Sequence, residues 1–158
     1  MTDFVKPFKN DPQIGHLSTP ISGSGIVKAF IGNLPAYRRG LSPSRRGLEI
    51  GMAHGYFIYG PFALLGPLRS TELASLAGLL ATVCSIVLLT LGLSLYGETV
   101  STKIVSSTPI EVPAELETSS GWSEFAGSFL IGGAGGAAFA YFLNSVAPMQ
   151  KIAALLWN

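Results

Sequence analysis

The chain has 158 residues, of which 48% are hydrophobic and only 12% charged, whereas about a quarter of the residues in soluble domains are charged. This composition predicts a membrane protein. The net charge of +1 excludes the strongly basic surface of a nucleic-acid-binding protein, and the single cysteine, Cys84, excludes an intrachain disulfide or a cysteine-based metal site.

The N-terminal region, residues 1–46, is predicted to be mostly irregular and to remain in the cytoplasm, because its polar, proline-interrupted start lacks the features of a secretory signal. Apolar residues recur at helical spacing between Ser24, a suitable helix cap, and Pro35, which stops the run. They predict a short amphipathic helix that lies on the membrane surface or against a partner subunit, with an ordinary packed helix as the open alternative.

Three apolar segments follow, residues 47–66, 73–96 and 125–143. Each is close to the length of about 20 residues that a helix needs to cross the hydrocarbon core of a membrane. Pro61 is expected to kink or end the first, and Trp122 precedes the third as an interfacial anchor. The predicted fold is therefore an all-α membrane protein with three transmembrane helices.

The distribution of cations predicts the orientation. Eight of the 10 Lys and Arg residues lie in residues 1–46 or in the loop 97–124, and the other two are Arg69 and Lys151. Because cytoplasmic segments are enriched in Lys and Arg, the N-terminus and the loop are expected in the cytoplasm. Residues 47–148 then form the membrane domain. The tail, 149–158, lies across the membrane and forms a short helix that ends near an interfacial Trp157.

The first apolar segment contains two ionisable residues, Glu49 and His54. Such groups are costly in a membrane and commonly mark pathways, cofactors or counter-ions. Five residues separate the two by about 140° around a helix, so they are not expected to share one metal ion.

Several roles remain open for each residue. His54 suits a structural histidine, a proton-relay group or an axial metal ligand. A haem held by two histidines is disfavoured, because His16 lies in the polar N-terminal region. Glu49 suits a magnesium ligand, while an ion pair with Arg45 or Arg46 at the membrane surface is slightly favoured on the residues alone.

Two of the apolar segments carry small residues at a spacing of four, which places them on one helix face. Close packing between helices is the favoured interpretation, and a seat for a flat ring is the alternative. These small-residue ladders are Gly47, Gly51 and Gly55 in the first segment and Ser128, Gly132, Gly136 and Ala140 in the third. The sequence lacks a catalytic triad pattern, a phosphate-binding loop and a metal-spaced cluster, so an enzyme is not expected.

Three sequence blocks are characteristic of a known family: NLPAYRRGLSPSRRGLEIGMAHGYFIYGPFALLGPLR, HLSTPISGSGIVKAFIGNLPAYR upstream and GWSEFAGSFLIGGAGGA downstream. Through these blocks most of the chain is similar to photosystem I reaction-centre subunit XI of the cyanobacterial type, and the chain carries this resemblance over nearly its whole length. It implies a non-catalytic, three-helix thylakoid subunit with a cytoplasmic N-terminus and a lumenal C-terminus. Such a subunit binds antenna chlorophylls, β-carotene and lipid, contacts the large core subunits, and joins copies of the complex into trimers.

The resemblance also implies that Glu49 and His54 are axial ligands of chlorophyll magnesium. Chlorophyll a is expected, although these ligands do not distinguish it from chlorophyll d or f. In trimer-forming relatives an Asp follows GPLR and belongs to a calcium site between subunits, whereas this chain has Ser70. A calcium contact of Pro67, Ser70 and Glu72 is therefore expected to be weak. The alternative function is a small proton-conducting or transporter subunit that uses Glu49 and His54.

Overall fold

The computed structural model describes residues 4–7, 10–14, 17–100, 110–146, 151–152 and 154–156. Within these ranges the chain is mostly helical, with α-helices α1 (Gly25–Asn33), α2 (Pro43–Leu65), α3 (Ala74–Thr99) and α4 (Ser119–Ser145). Short 3₁₀ helices cover Pro12–Ile14 and Ala114–Glu117. The N-terminal region also holds two short antiparallel strands, β1 (Lys6–Pro7) and β2 (Leu17–Ser18), which the all-α prediction does not include.

Side-chain caps decide where three helices begin. The hydroxyl of Ser24 accepts a hydrogen bond from the Val27 amide at the start of α1, as its sequence predicts. Ser42 caps α2 in the same way, so α2 begins at Pro43, one turn before the predicted Gly47. Thr118 caps α4, which therefore begins at Ser119 and not at Phe125. Because α3 also continues to Thr99, the connection predicted as residues 97–124 shortens to 100–118.

Helix α1 is the amphipathic segment that the sequence predicts, and none of its residues is buried. Ile26 is 84% exposed and Phe30 is 67% exposed. Val27 and Ile31 are half-buried, so α1 packs only partly against the rest of the described chain. At the C-terminus residues 151–152 and 154–156 are helical, in agreement with the predicted short helix, whereas Trp157 lies outside the described residues.

Helices α2 and α4 run parallel and form the closest pair in the fold. Their backbones meet at matched positions along the pair, with Gly47 against Phe125 and Gly55 against Gly133. Helix α3 is antiparallel to both, because its early residue Gly78 contacts Ala63 near the end of α2. Its fully buried Ile86 packs with Leu116, Phe125 and Phe129 in the main apolar core.

Trp122 lies where the end of α3 meets the beginning of α4. Its indole Nε1 donates a hydrogen bond of 2.6 Å to the Leu116 carbonyl oxygen, and its ring meets the edge of Tyr96 at 4.8 Å between centroids. It is half-buried, so it acts as a packing residue, and its role as an interfacial anchor stays a prediction.

Asn144 joins all three long helices at the end of the bundle where α2 leads into α3. Its side-chain amide donates to the hydroxyl of Tyr59 on α2 at 3.0 Å and to that of Ser75 on α3 at 2.7 Å. Hydrogen bonds between helices in a membrane contribute about 0.6 kcal/mol each, and up to about 1.7 kcal/mol. This cluster fixes the relative rotation of the helices.

We therefore expect Asn144→Leu to destabilise the helix bundle by about 1–2 kcal/mol, because both bonds are lost together. The measurement is the temperature at which the subunit dissociates from its purified native assembly. Tyr59→Phe, which removes one hydroxyl, should have a smaller effect in the same direction. An Asn144→Leu protein that dissociates at the unchanged temperature would contradict this role.

Among the described residues, α3 and α4 are long and apolar enough to cross a membrane. Helix α2 is less apolar than either, because it contains Glu49, His54 and several glycines and tyrosines. Two of the three predicted transmembrane helices thus have the length and composition that crossing a membrane requires.

Candidate functional site

His54 presents an exposed imidazole near the middle of α2. Its Nδ1 lies 2.8 Å from the carbonyl oxygen of Ile50, one turn earlier on the helix. A carbonyl oxygen can only accept, so Nδ1 carries the hydrogen and Nε2 keeps an unshared electron pair. The ring is also held by an edge contact with Phe129 of α4, with 5.5 Å between centroids. His54 therefore offers an oriented nitrogen ligand to a group bound at the surface.

Glu49 lies five residues earlier on α2 and is paired with arginines. The Nη2 atom of Arg38 contacts both carboxylate oxygens, at 2.6 and 2.5 Å. Arg45 approaches more loosely, with its Nε 3.8 Å from one oxygen. The ion pair predicted with Arg45 or Arg46 therefore forms mainly with Arg38, which the prediction did not include.

The carboxylate of Glu49 still has room for a further partner. An ionised carboxylate has about four lone-pair positions, and the contacts with Arg38 and Arg45 do not fill them. The side chain is 26% exposed, so a ligand can reach it from outside the helix bundle. Glu49 and His54 contact different neighbours, in agreement with the two faces expected from their spacing.

Arg46 has a structural role instead. Its side chain is almost fully buried, and its Nη1 donates to the Pro35 carbonyl oxygen at 2.8 Å. Its Nε is the one buried side-chain nitrogen or oxygen without a hydrogen-bond partner in the described part of the chain. Arg46 lines a cavity of about 580 Å³ together with Arg39 and Glu115. No sequence pattern indicated this burial, because Pro35 lies eleven residues away.

The small-residue ladders are packing surfaces. A methyl group at Gly51 would overlap the carbonyl oxygen of Phe129, and one at Gly136 would overlap that of Met52. Gly132 likewise faces the backbone of α2, and Ala140 is buried at the same interface. The favoured interpretation, close helix packing, is confirmed, and no flat ring fits between α2 and α4 at these positions.

The turn between α2 and α3 carries Pro67, Ser70 and Glu72, all of them exposed. Hydrogen bonds within the turn hold its backbone, including one of 2.8 Å from the Thr71 hydroxyl to the Leu68 carbonyl oxygen. Groups of three or more His, Cys, Asp or Glu able to hold a metal ion do not occur among the described residues. Within this chain the turn therefore supplies at most part of a calcium site.

Comparison with known proteins gives one family for nearly the whole chain. Residues 4–149 match the family model of photosystem I reaction centre subunit XI. The subunit XI of Crocosphaera subtropica is 60% identical over 136 residues, which cover 85% of this chain and 87% of that protein. The Porphyra purpurea protein of the same name is 52% identical over 155 residues, covering 98% of this chain and 97% of the relative.

Subunit XI of Synechococcus elongatus is also similar, with 54% identity over 153 residues that cover 93% of this chain and 92% of the relative. Identity at this level across almost the full length confirms the resemblance found in the sequence blocks. A member of this family has other photosystem I subunits as partners and lies in the thylakoid membrane. The chain belongs to the family of photosystem I reaction centre subunit XI.

Proposed function

We propose that the chain is a non-catalytic subunit that holds chlorophyll at the edge of photosystem I through His54 and Glu49. The observation that carries the proposal is the exposed imidazole of His54. Its Nδ1 is bound to the Ile50 carbonyl oxygen, and its Nε2 has no hydrogen-bond partner among the residues that the structure describes. Magnesium in a chlorophyll ring accepts one axial ligand of this kind. Bound chlorophyll absorbs light and passes on the excitation, while the protein fixes its position and orientation.

Glu49 is proposed as the second axial ligand. Magnesium is a hard ion that prefers oxygen donors, and Glu49 keeps accessible lone pairs beside its ion pair. Exposed aromatic rings lie on the outside of the α2 and α4 pair, namely Tyr56 on α2 and Phe139 on α4, with 6.3 Å between their centroids. They support binding of chlorophyll rings, phytyl tails, β-carotene and lipid along the outside of the α2 and α4 pair.

We further propose that α2 crosses the membrane together with α3 and α4. Its 23 residues span about 35 Å, which is sufficient for the hydrocarbon core. Its length and its parallel pairing with α4 through backbone contacts support a common direction. With the arginines at the start of α2 in the cytoplasm, the tail from residue 149 lies in the lumen.

Assembly with copies of the same subunit, most simply as a trimer of complexes, is part of the proposal. The exposed apolar residues of α3 and α4 would face lipid, pigment or neighbouring subunits. Calcium at Pro67, Ser70 and Glu72 would need ligands from another chain, because a serine hydroxyl is a weaker calcium ligand than a carboxylate.

The test compares purified photosystem I with and without this subunit. We expect the complete complex to contain more chlorophyll per reaction centre and to have a larger native mass, whereas equal pigment content would contradict the proposal. The alternative function, proton conduction, predicts pH-dependent flux through liposomes that contain the pigment-free chain. A chlorophyll-containing preparation without such flux would exclude this alternative.

A further inference from the structure

We propose that Arg38 is a positioning residue for the chlorophyll at Glu49, because it holds the Glu49 carboxylate in one orientation. This inference rests on the proposed ligand role of Glu49. It assigns a function to a residue that lies outside the membrane-spanning helices, in the connection between α1 and α2.

The backbone around Arg38 is well anchored. Its amide donates to the Leu34 carbonyl oxygen at 2.8 Å, and the amide of Tyr37 donates to the same oxygen at 2.9 Å. Gly40, with φ of +77°, then turns the chain towards α2. Arg38 therefore reaches Glu49 from a fixed point and not from a free loop.

Two side-chain contacts hold this connection against α2. Arg46 of α2 donates to the Pro35 carbonyl oxygen, and Arg38 donates to Glu49 of α2. In each contact the two residues are eleven positions apart in the sequence. Pro35 and Arg38 lie three residues apart in the connection, and Arg46 and Glu49 lie three residues apart on α2. Two tethers at neighbouring points prevent the connection from rotating against α2, so the guanidinium stays on one side of the Glu49 carboxylate.

The contact itself leaves space for a metal. One nitrogen of Arg38, Nη2, bridges both oxygens, so the two-nitrogen fork typical of arginine and carboxylate is not used here. Each oxygen gives one lone pair to Nη2 and keeps another for a ligand. The carboxylate is thereby fixed from one side and available from the other.

Arg45 is a weaker partner of Glu49. Its side chain is 71% exposed and its Nε lies 3.8 Å from one carboxylate oxygen, so it can only partly replace Arg38 in holding the carboxylate.

The experiment uses the intact photosystem I complex, with pigment analysis and low-temperature absorption spectra normalised to the amount of this subunit. Arg38→Leu and Arg38→Gln both remove the charge, and Gln keeps a hydrogen-bond donor if Leu prevents assembly. We expect both to weaken retention of one chlorophyll about 10- to 100-fold in detergent washes, the usual cost of losing a partner of a metal ligand. The absorption band of this chlorophyll is the band that disappears in Glu49→Leu. In complexes that retain the chlorophyll, we expect this band to shift in wavelength.

Two further variants decide the cause. Arg38→Lys should restore retention and the band, because a single nitrogen makes both contacts and the lysine ammonium can replace it. Arg39→Leu removes the same charge one residue away, without a contact to Glu49, and should leave retention and the band unchanged.

The outcomes separate this inference from the proposed function. The role of Arg38 is overturned if Glu49→Leu removes a chlorophyll while Arg38→Leu and Arg38→Gln leave the retention and the absorption band of that chlorophyll unchanged. Failure of the Arg38→Lys variant to restore the band also overturns it. If Glu49→Leu itself leaves the pigment content unchanged, the ligand role of Glu49 is overturned instead.

Discussion

Replacing His54 by leucine is expected to remove one chlorophyll per copy of the subunit from photosystem I, while the subunit itself remains in the complex. Leucine cannot supply an axial ligand. The imidazole is exposed, and its polar contact with the protein is the bond to Ile50, so little folding energy should be lost. Pigment extraction and subunit quantification on the same purified sample measure the two effects separately.

Phe57→Leu is the matched control for this substitution. Phe57 lies three residues later on α2 and is 74% exposed, so the change has a comparable setting but removes no metal ligand. It should leave the number of chlorophylls unchanged. A His54→Leu complex with its full pigment content and an unaltered spectrum would exclude His54 as a ligand.

The second large effect is expected from Gly51→Ala. The added methyl group would overlap the carbonyl oxygen of Phe129 on α4, and neither helix backbone can move without separating the other close contacts of the pair. We expect a destabilisation of about 3 kcal/mol or more and poor incorporation of the subunit. Subunit content and dissociation temperature of the purified complex provide the measurement.

Gly135→Ala provides the control on the partner helix α4. Among the described residues, no atom outside the nearby backbone of α4 lies within 4 Å of a methyl group placed at Gly135. Since alanine favours a helix over glycine by about 1 kcal/mol, this variant should be neutral or slightly stabilising. Equal behaviour of the two alanine variants would show that α2 and α4 do not pack through their glycine faces.

Much of the fold could be predicted from the sequence, because its strongest signals are local. Apolar runs locate α3 and α4, and small residues at a spacing of four mark the faces on which α2 and α4 meet. Helix starts were less accurate because their determinants are single capping hydroxyls. Ser42 with Pro43, and Thr118, extend α2 and α4 beyond the apolar runs.

The candidate site was predictable in its residues but not in its contacts. Glu49 and His54 could be predicted because they are ionisable side chains in an apolar segment, and their spacing indicated that they lie on two faces of the helix. The partner of Glu49 was missed, because Arg38 is brought close by the turn at Gly40 and not by helical periodicity. The link from Asn144 to Tyr59 and Ser75 was missed for the same reason, since it joins residues at least 69 positions apart.

The most direct measurement is a density map of intact photosystem I that resolves the surroundings of this subunit. The account predicts a chlorophyll whose magnesium is bonded to Nε2 of His54, and a second whose magnesium is bonded to a carboxylate oxygen of Glu49 on the side that Arg38 does not occupy. A map in which Nε2 of His54 is bonded to another side chain or faces lipid, with no magnesium beside it, would contradict the account.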